Sequence, residues 1–265
     1  AKEADINGTI GIAQDDNGTI SHLKIAEAWA GELVLKRCPK GKIFGYAPIP
    51  GLPSLRERWL TRMIAAFPQF AGNATSPVVT NGITHGLALA TRLICAPGDT
   101  IIMPAKSWEN YQHIYEHVQN LDVALFPLFQ KNGDLDYEGM IATCEKIAAS
   151  GRKVVLLLNF PHNQTGFMPS PSQAVELGIR IKKLTEKYPT VPFVVILDDA
   201  YEGYVYDSAG KKASILPELF FNAPNFTLVK LDGISKVMLA YGYRVGFITF
   251  FVNPLGGGVF NEQDT

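Results

Sequence analysis

Lys236 sits in the stretch "GISKVMLAYGYRVGF" (233–247), just after a Gly-Ile-Ser run, with Arg244 eight positions later between Gly242 and Gly246. An amine of this kind can form a Schiff base with a carbonyl. A guanidinium offers a two-pronged fork to a phosphate. Asp198 opens the segment "DDAY", and Tyr201 follows three positions on. A carboxylate facing a ring-nitrogen cation stays ionised and holds that nitrogen protonated. The same Asp read alone is as well explained as a cap on a turn or helix. "NGITHG" (81–86) reads as a helix start with Gly82 for the turn, so its free backbone N–H groups suit a phosphate. "FPHNQTG" (160–166) contributes Asn163. "HIYEH" (113–117) has the H-x-x-E-H form of inverted zinc peptidases, with His113 and His117 on one helical face and Glu116 beside them. A five-residue pattern recurs often by chance, and the polar helix face after "SWENYQ" explains it more simply.

These residues share a position in the pattern of elements. The apolar runs "SPVVT", "DTIIM", "VALFP", "KVVLLLN", "PFVVILD", "FTLVKL" and "VGFITFF" read as strands. Several are apolar throughout, as in strands covered on both faces. Helical patterns lie between many of them: "THGLALATRLIC", "ENYQHIYEHVQ", "YEGMIATCEKIAA" and "SQAVELGIRIKKLTEKY". Alternating strands and helices predict an α/β fold, a three-layer sandwich around a mostly parallel sheet. Ligands bind such sheets beyond the carboxyl ends of the strands. "NGITHG", "FPHNQTG", "DDAYEGY" and "DGISK" each follow directly on an apolar run, so all four candidate groups fall at that edge. The large α/β domain is expected over 45–265. Residues 1–44 read as an arm or part of a small lobe, with a helix near "HLKIAEAWAGELVL".

Composition narrows the partners. The 265 residues carry 24 basic and 25 acidic side chains, a net charge of −1, without a long run of one sign. Nucleic acid and acidic membrane surfaces are therefore poor partners. No apolar run reaches the length of a membrane span, and the first residues contain no signal-peptide core. Cys38, Cys95 and Cys144 are far apart and odd in number, which fits a reduced, cytoplasmic protein. Without a C-x-x-C pair, a cysteine zinc site is not expected, and no metal is assigned.

Phosphate donors, an acid for a ring nitrogen, a Schiff-base lysine and an arginine together describe a pyridoxal 5'-phosphate site. The chain resembles the fold-type I aminotransferases of class I/II, of the aspartate and aromatic kind. "SKVMLAYGYRVG" matches that family's S-K-x5-G-x-R-x-G. "NFPHNQTG" is similar to its N-P-x-N-P-T-G loop, "DDAY" to its D-x-A-Y, "YAPIPGLPSLRE" to its Y-x-P-I-x-G-L segment, and "PAKSWENY" to its W-x-N segment. The resemblance covers about residues 7–250, with the five matches in the family's order.

The resemblance implies a transfer of an amino group between an L-amino acid and a 2-oxo acid. Lys236 would carry the internal aldimine and shuttle the proton at the substrate Cα. Asp198 would pair with the pyridinium nitrogen. Asn163 and Tyr201 would bond the phenolic oxygen, and Trp108 would stack on the ring. The backbones of Ile83 and Thr84, with Ser235 and Arg244, would hold the phosphate. Tyr46 would reach in from the other subunit of a homodimer. The chain departs from the pattern at several points. Gln164 replaces a proline, Phe160 is inserted before Pro161, and Gly233 stands where many members place a serine. No Lys or Arg follows Arg244, whereas the family binds the substrate carboxylate with an Arg of its C-terminal domain. The chain is accordingly expected to be part of a longer one, unless Arg37 takes over the carboxylate. The same parts also serve C–S lyases and related elimination enzymes, and a non-catalytic remnant would keep them too.

Overall fold

The computed structural model describes residues 11–38, 45–206 and 213–251. The end of the chain from 252 and the segment 1–10 lie outside the described residues, so the expectations placed there are not addressed by it.

All seven predicted strands form, as β1 (Val78–Asn81), β2 (Thr100–Pro104), β3 (Asp122–Phe126), β4 (Val154–Asn159), β5 (Phe193–Asp198), β6 (Phe226–Gly233) and β7 (Val245–Phe251). They make one sheet in the order β1-β7-β6-β5-β4-β2-β3. The pairs from β6 across to β3 are parallel, while β7 runs antiparallel to both β6 and β1. Every residue of β2, β4, β5 and β6 is buried, as their continuous apolar sequences predict. The two edge strands, β1 and β3, are only partly covered.

Four longer helices matter here: α1 (Pro53–Ala66), α2 (Gly82–Ile94), α3 (Tyr137–Ala149) and α4 (Pro171–Lys187). The last is fixed at its start by a capping box between Ser170 and Gln173, with Pro171 in the first helical position. Asp136 caps α3 by accepting from the Gly139 N–H at 3.0 Å. α1, α3 and α4 cover one face of the sheet, where Met63, Met140, Leu177 and Ile181 meet Leu156, Val195 and Leu228. α2 and the helical turns Glu109–Val118 cover the other, where Leu87, Tyr111 and Ile114 meet Val155, Ile196 and Val229. Leu177 is fully buried, so truncating it to alanine would cost about 2–5 kcal/mol.

The helix expected near "HLKIAEAWAGELVL" is present from Lys24 to Arg37 but breaks at Gly31, whose ψ of −128° is not helical. α1 was not among the sequence-predicted helices. Its signals are Pro53 at the start and the spacing of Leu55, Trp59 and Met63, of which Trp59 and Met63 are buried.

Candidate active site

The carboxyl edge of the sheet gathers most of the singled-out side chains. In register, Asn159 stands opposite Asp198, and Asp198 opposite Leu231. β6 runs two residues further to Gly233 and turns at once into the short helix Ile234–Val237 that carries Lys236. Because β7 is antiparallel, it begins at the edge where the parallel strands end. Arg244, the residue before it, therefore arrives beside the start of α2: Gly246 pairs with both Gly233 and Thr80. That reversal is what brings a residue from just before a strand, rather than just after one, into the site.

Alternation along β5 sends Asp198 to the α2 side of the sheet, with Val194 and Ile196, and Asp199 to the opposite side. Asp198 is 4% exposed. Tyr111 donates its hydroxyl to Oδ2 at 2.6 Å, and the Ala200 N–H donates to Oδ1 at 3.1 Å. No cation lies in ion-pair contact with this carboxylate among the described residues. Burial pushes its pKa up to about 6, against the lowering effect of Tyr111, Ala200 and the more distant charge of Lys230.

Lys236 is half-buried. Its Nζ donates to the Gly11 carbonyl at 2.6 Å and lies 5.7 Å and 5.2 Å from the ring centres of Tyr201 and Tyr241. Desolvation, and then the charge of Arg244, lower its pKa below the ordinary lysine value. Tyr204 donates its hydroxyl to the Lys236 carbonyl at 2.9 Å, and stands edge-on to Tyr201 at 5.6 Å. Arg244 adopts a left-handed backbone (φ 52°, ψ 50°), which directs its guanidinium over Gly82. A Cβ built on Gly82 would come within 2.5 Å of that guanidinium, and Gly82 itself has φ 78°. Gly82 thus serves both the turn and the close approach. Ile83 and Thr84 follow in the first turn of α2, where backbone N–H groups lack helical acceptors. Ser235 is buried in the first turn of its own helix.

The Asn163 loop is tied to β4, β5 and the Trp108 loop. The Asn163 N–H donates to Asn159 Oδ1 at 2.7 Å, and Asn159 donates to the Asp198 carbonyl at 2.8 Å. His162 bonds the Lys106 carbonyl and Thr165, both at 2.9 Å. Burial lowers its pKa, so it stays neutral near pH 7. Gln164 donates to the Ser107 carbonyl at 2.8 Å. Trp108 stands edge-on to Tyr111, with ring centres 5.5 Å apart.

Other sequence departures also have local reasons. A Cβ on Gly233 would meet the Val245 carbonyl at 2.7 Å, so the tight β6–β7 pairing leaves no room for a serine there. Tyr46 is not with the others: its side chain is fully exposed, as is Ile49. Arg37 lies 5.9 Å from the Trp29 ring centre. The zinc alternative finds no support. Glu116 accepts from Gln112, His113 and His117 sit ring to ring at 5.7 Å, and no cluster of three or more metal-ligating side chains occurs among the described residues. Tyr111 and Tyr204 escaped the sequence reading. An aromatic three positions beyond Trp108, and one three beyond Tyr201, were the only signals.

The donor set fits pyridoxal phosphate. A buried carboxylate with no cation in contact among the described residues suits a protonated ring nitrogen, and a helix start roofed by a guanidinium suits a phosphate. No helix among the described residues is long and apolar enough to cross a membrane. The family model for aminotransferase class I and II matches residues 12–254. An L-tyrosine:2-oxoglutarate aminotransferase of Aspergillus ustus is 27% identical over 188 residues, covering 71% of this chain and 34% of that protein. An aspartate aminotransferase of Sulfurisphaera tokodaii is 24% identical over 90% of this chain and 53% of its own length. The chain thus spans about half the length of the curated relatives it matches. Among solved structures, the aspartate aminotransferase of Saccharomyces cerevisiae cytoplasm superposes with a TM-score of 0.75 at 21% identity, over 92% of this chain and 57% of that one. An aromatic-amino-acid aminotransferase of Burkholderia pseudomallei, described as covalently bound to pyridoxal phosphate, reaches 0.67 at 21% identity, over 92% and 58%. The chain belongs to the aminotransferase class I and II family, whose cofactor is pyridoxal phosphate.

Proposed function

We propose that this chain holds the cofactor of a pyridoxal-phosphate-dependent aminotransferase that moves an amino group between an L-amino acid and a 2-oxo acid. The observation that carries the reading is the buried Asp198, with no cation in contact among the described residues, at the same sheet edge as Lys236 and Arg244. Bound there, the cofactor would supply an electron sink for the carbanion left when a substrate Cα loses its proton. Asp198 would stay ionised opposite the ring nitrogen. Lys236, its pKa lowered by burial and by Arg244, would take that proton at Nζ and return it. Tyr201 and Asn163 would bond the ring oxygen, and Trp108 would cover one ring face. Arg244, Ser235 and the N–H groups of Ile83 and Thr84 would hold the phosphate. Residues 45–265 would form this cofactor-binding unit, and 1–44 an arm beside it.

We extend the reading to a homodimer. Tyr46, Ile49 and Leu52 are exposed apolar or aromatic side chains on one short segment, and a second copy would bury them in a two-fold interface, with Tyr46 reaching the other site. The free Cys38, Cys95 and Cys144 support a reducing compartment, the cytoplasm. The test is reduction with borohydride after loading with pyridoxal phosphate, followed by peptide mapping. The label is expected on Lys236, and turnover in Lys236→Ala should fall by at least the ~10²–10⁴-fold that acid–base catalysis supplies. A label on Lys230 or any other lysine would overturn the assignment.

A further inference from the structure

Directly behind the site, on the other face of the sheet, the structure buries a cluster of charges. Lys230 is wholly inaccessible, and its Nζ faces three carboxylates: Asp232 Oδ2 at 2.5 Å, Glu202 Oε2 at 2.8 Å and Asp199 Oδ2 at 3.2 Å. All three acids are buried as well. α1 adds an outer layer. Trp59 donates its indole N–H to Asp232 Oδ1 at 2.8 Å, and Arg62 donates to Glu202 Oε1 at 3.2 Å while lying over the Trp59 ring. Trp59 also stacks on Phe247 of β7, with ring centres 4.1 Å apart. None of these groups reaches the cofactor face, so none belongs to the set that would hold or transform a ligand.

The sequence positions of the three acids give the cluster its meaning. Asp199 follows Asp198. Glu202 follows Tyr201. Asp232 is four residues before Lys236, at the end of the strand that feeds the lysine's helix. One ammonium therefore holds, from behind, the three segments that present the ring-nitrogen acid, the phenol and the amine. We propose that Lys230 is a positioning residue for the reaction, fixing Asp198, Tyr201 and Lys236 relative to one another through Asp199, Glu202 and Asp232. This rests on the site reading above.

Two arguments favour positioning over mere filling. A buried ion cluster gives little net stability, and apolar side chains of the same volume often do as well or better. What it adds is direction: two charge-assisted hydrogen bonds, to Glu202 and Asp232, and an ion pair to Asp199 converge on one nitrogen, whereas apolar contacts let segments slide. Its charge is also felt through the sheet, since Lys230 lowers the pKa of Asp198 and thereby favours its ionised form.

The experiment compares the wild-type protein with Lys230→Met and with the charge-balanced variant Asp199→Asn/Lys230→Met/Asp232→Asn, which leaves Arg62 paired with Glu202. In each cofactor-free protein, the pH midpoint of Lys236 is read by trace acetylation and peptide mass spectrometry. Loaded protein gives kcat and KM. Lys230→Met alone leaves three acids facing Arg62, and is expected to be poorly folded. The balanced variant is expected to fold, with the Lys236 midpoint rising by roughly half a unit or more as its segment loosens and hydrates. Its kcat should fall about tenfold or more with KM changed less than about threefold, as expected for misaligned groups. Should the balanced variant not fold, Asp232→Asn keeps the Trp59 bond and should show the same shifts in smaller measure. A folded variant with the wild-type Lys236 midpoint and kcat would overturn the positioning role. A borohydride label away from Lys236 in the wild type would instead overturn the site reading, and the positioning claim with it.

Discussion

Asp198 and Asp199 are chain neighbours, yet they face different worlds. On the α2 side, Asp198 has one tyrosine, one backbone N–H and no cation in contact. On the α1 side, Asp199 joins two other acids around a lysine sealed from water. The first arrangement leaves a charge without a contacting cation among the described residues, which suits its proposed place opposite a ring nitrogen. The second sets its acids against cations of the fold itself, Lys230 and Arg62. A parallel sheet makes this division possible, because alternation along a strand sends successive residues to opposite faces at the same edge. Perturbed acids on both faces could be mistaken for one functional cluster. The absence of a contacting counter-ion among the described residues, rather than burial, is what distinguishes Asp198, the proposed partner of a ligand, from Asp199.

Paired substitutions would break that division if it is wrong. Asp198→Ala should lower the unfolding midpoint of the cofactor-free protein only modestly, because losing the Tyr111 bond is offset by removing a buried carboxylate that has no cation in contact. It should lower turnover by about 10²–10³-fold, the usual loss of one preorganised electrostatic partner. Asp199→Ala should lower turnover far less, since Glu202 and Asp232 still hold Lys230. Stopped-flow half-reactions with a panel of amino acids and chemical denaturation read both effects. Equal loss of turnover in the two variants would mean that both acids serve one site.

Proton linkage sharpens the comparison. Both aspartates have folded pKa values raised by burial above the ordinary 3.8, to about 6 for Asp198 and about 7 for Asp199. An acid that holds its proton longer when folded stabilises the fold at low pH. That contribution is lost as pH rises from the unfolded value through the folded one. The cofactor-free protein should therefore lose stability between pH about 4 and 6 through Asp198, and up to about 7 through Asp199. Asp198→Asn should remove the lower part of that slope, and Tyr111→Phe should extend it upward by deleting a donor that favours the ionised form. Losing a hydrogen bond to a charged group should cost about 1.5–3 kcal/mol at pH 7.5. Urea midpoints measured from pH 4 to 7.5 check this. A Tyr111→Phe curve superimposable on wild type would mean that Asp198 is not held by that hydroxyl.

Much of this was legible in the sequence, for a physical reason. Runs such as "VVLLLN" and "FVVILD" must be covered on both faces, so the strands and the carboxyl edge follow from them. The direction of β7 did not follow, because "VGFITFF" is as apolar as its parallel neighbours and orientation is set by the short connection after Lys236. α1 was missed because its charged residues, Arg56, Glu57, Arg58 and Arg62, mask a narrow buried stripe. The cluster behind the site left one readable sign: a lysine inside "FTLVKL", a strand otherwise fit only for burial. A charge in such a run requires partners, and these are Asp232 at the end of the same strand and Asp199 and Glu202 just past the neighbouring β5.

The smallest expected effect lies at the rim of the ligand-facing side, where the chain replaces the family's proline with Gln164. Gln164 has φ 92°, a conformation that a proline ring, fixed near −65°, cannot adopt. Its side chain donates to the Ser107 carbonyl, next to Trp108. The glutamine therefore supplies by a side-chain bond the link between two loops, and the departure from the family pattern is a local solution rather than a loss. Gln164→Gly removes that bond, worth about 0.5–1.5 kcal/mol, and relieves left-handed backbone strain of about 1–2 kcal/mol. The two changes nearly offset, so its unfolding midpoint should stay close to wild type, while the freed loop should alter the fluorescence of Trp108. Gln164→Pro, which restores the family residue, should be the more destabilising of the two. If proline is tolerated better than glycine, the loop does not need the positive φ, and Gln164 is an ordinary rim residue rather than a tie between the Asn163 and Trp108 loops.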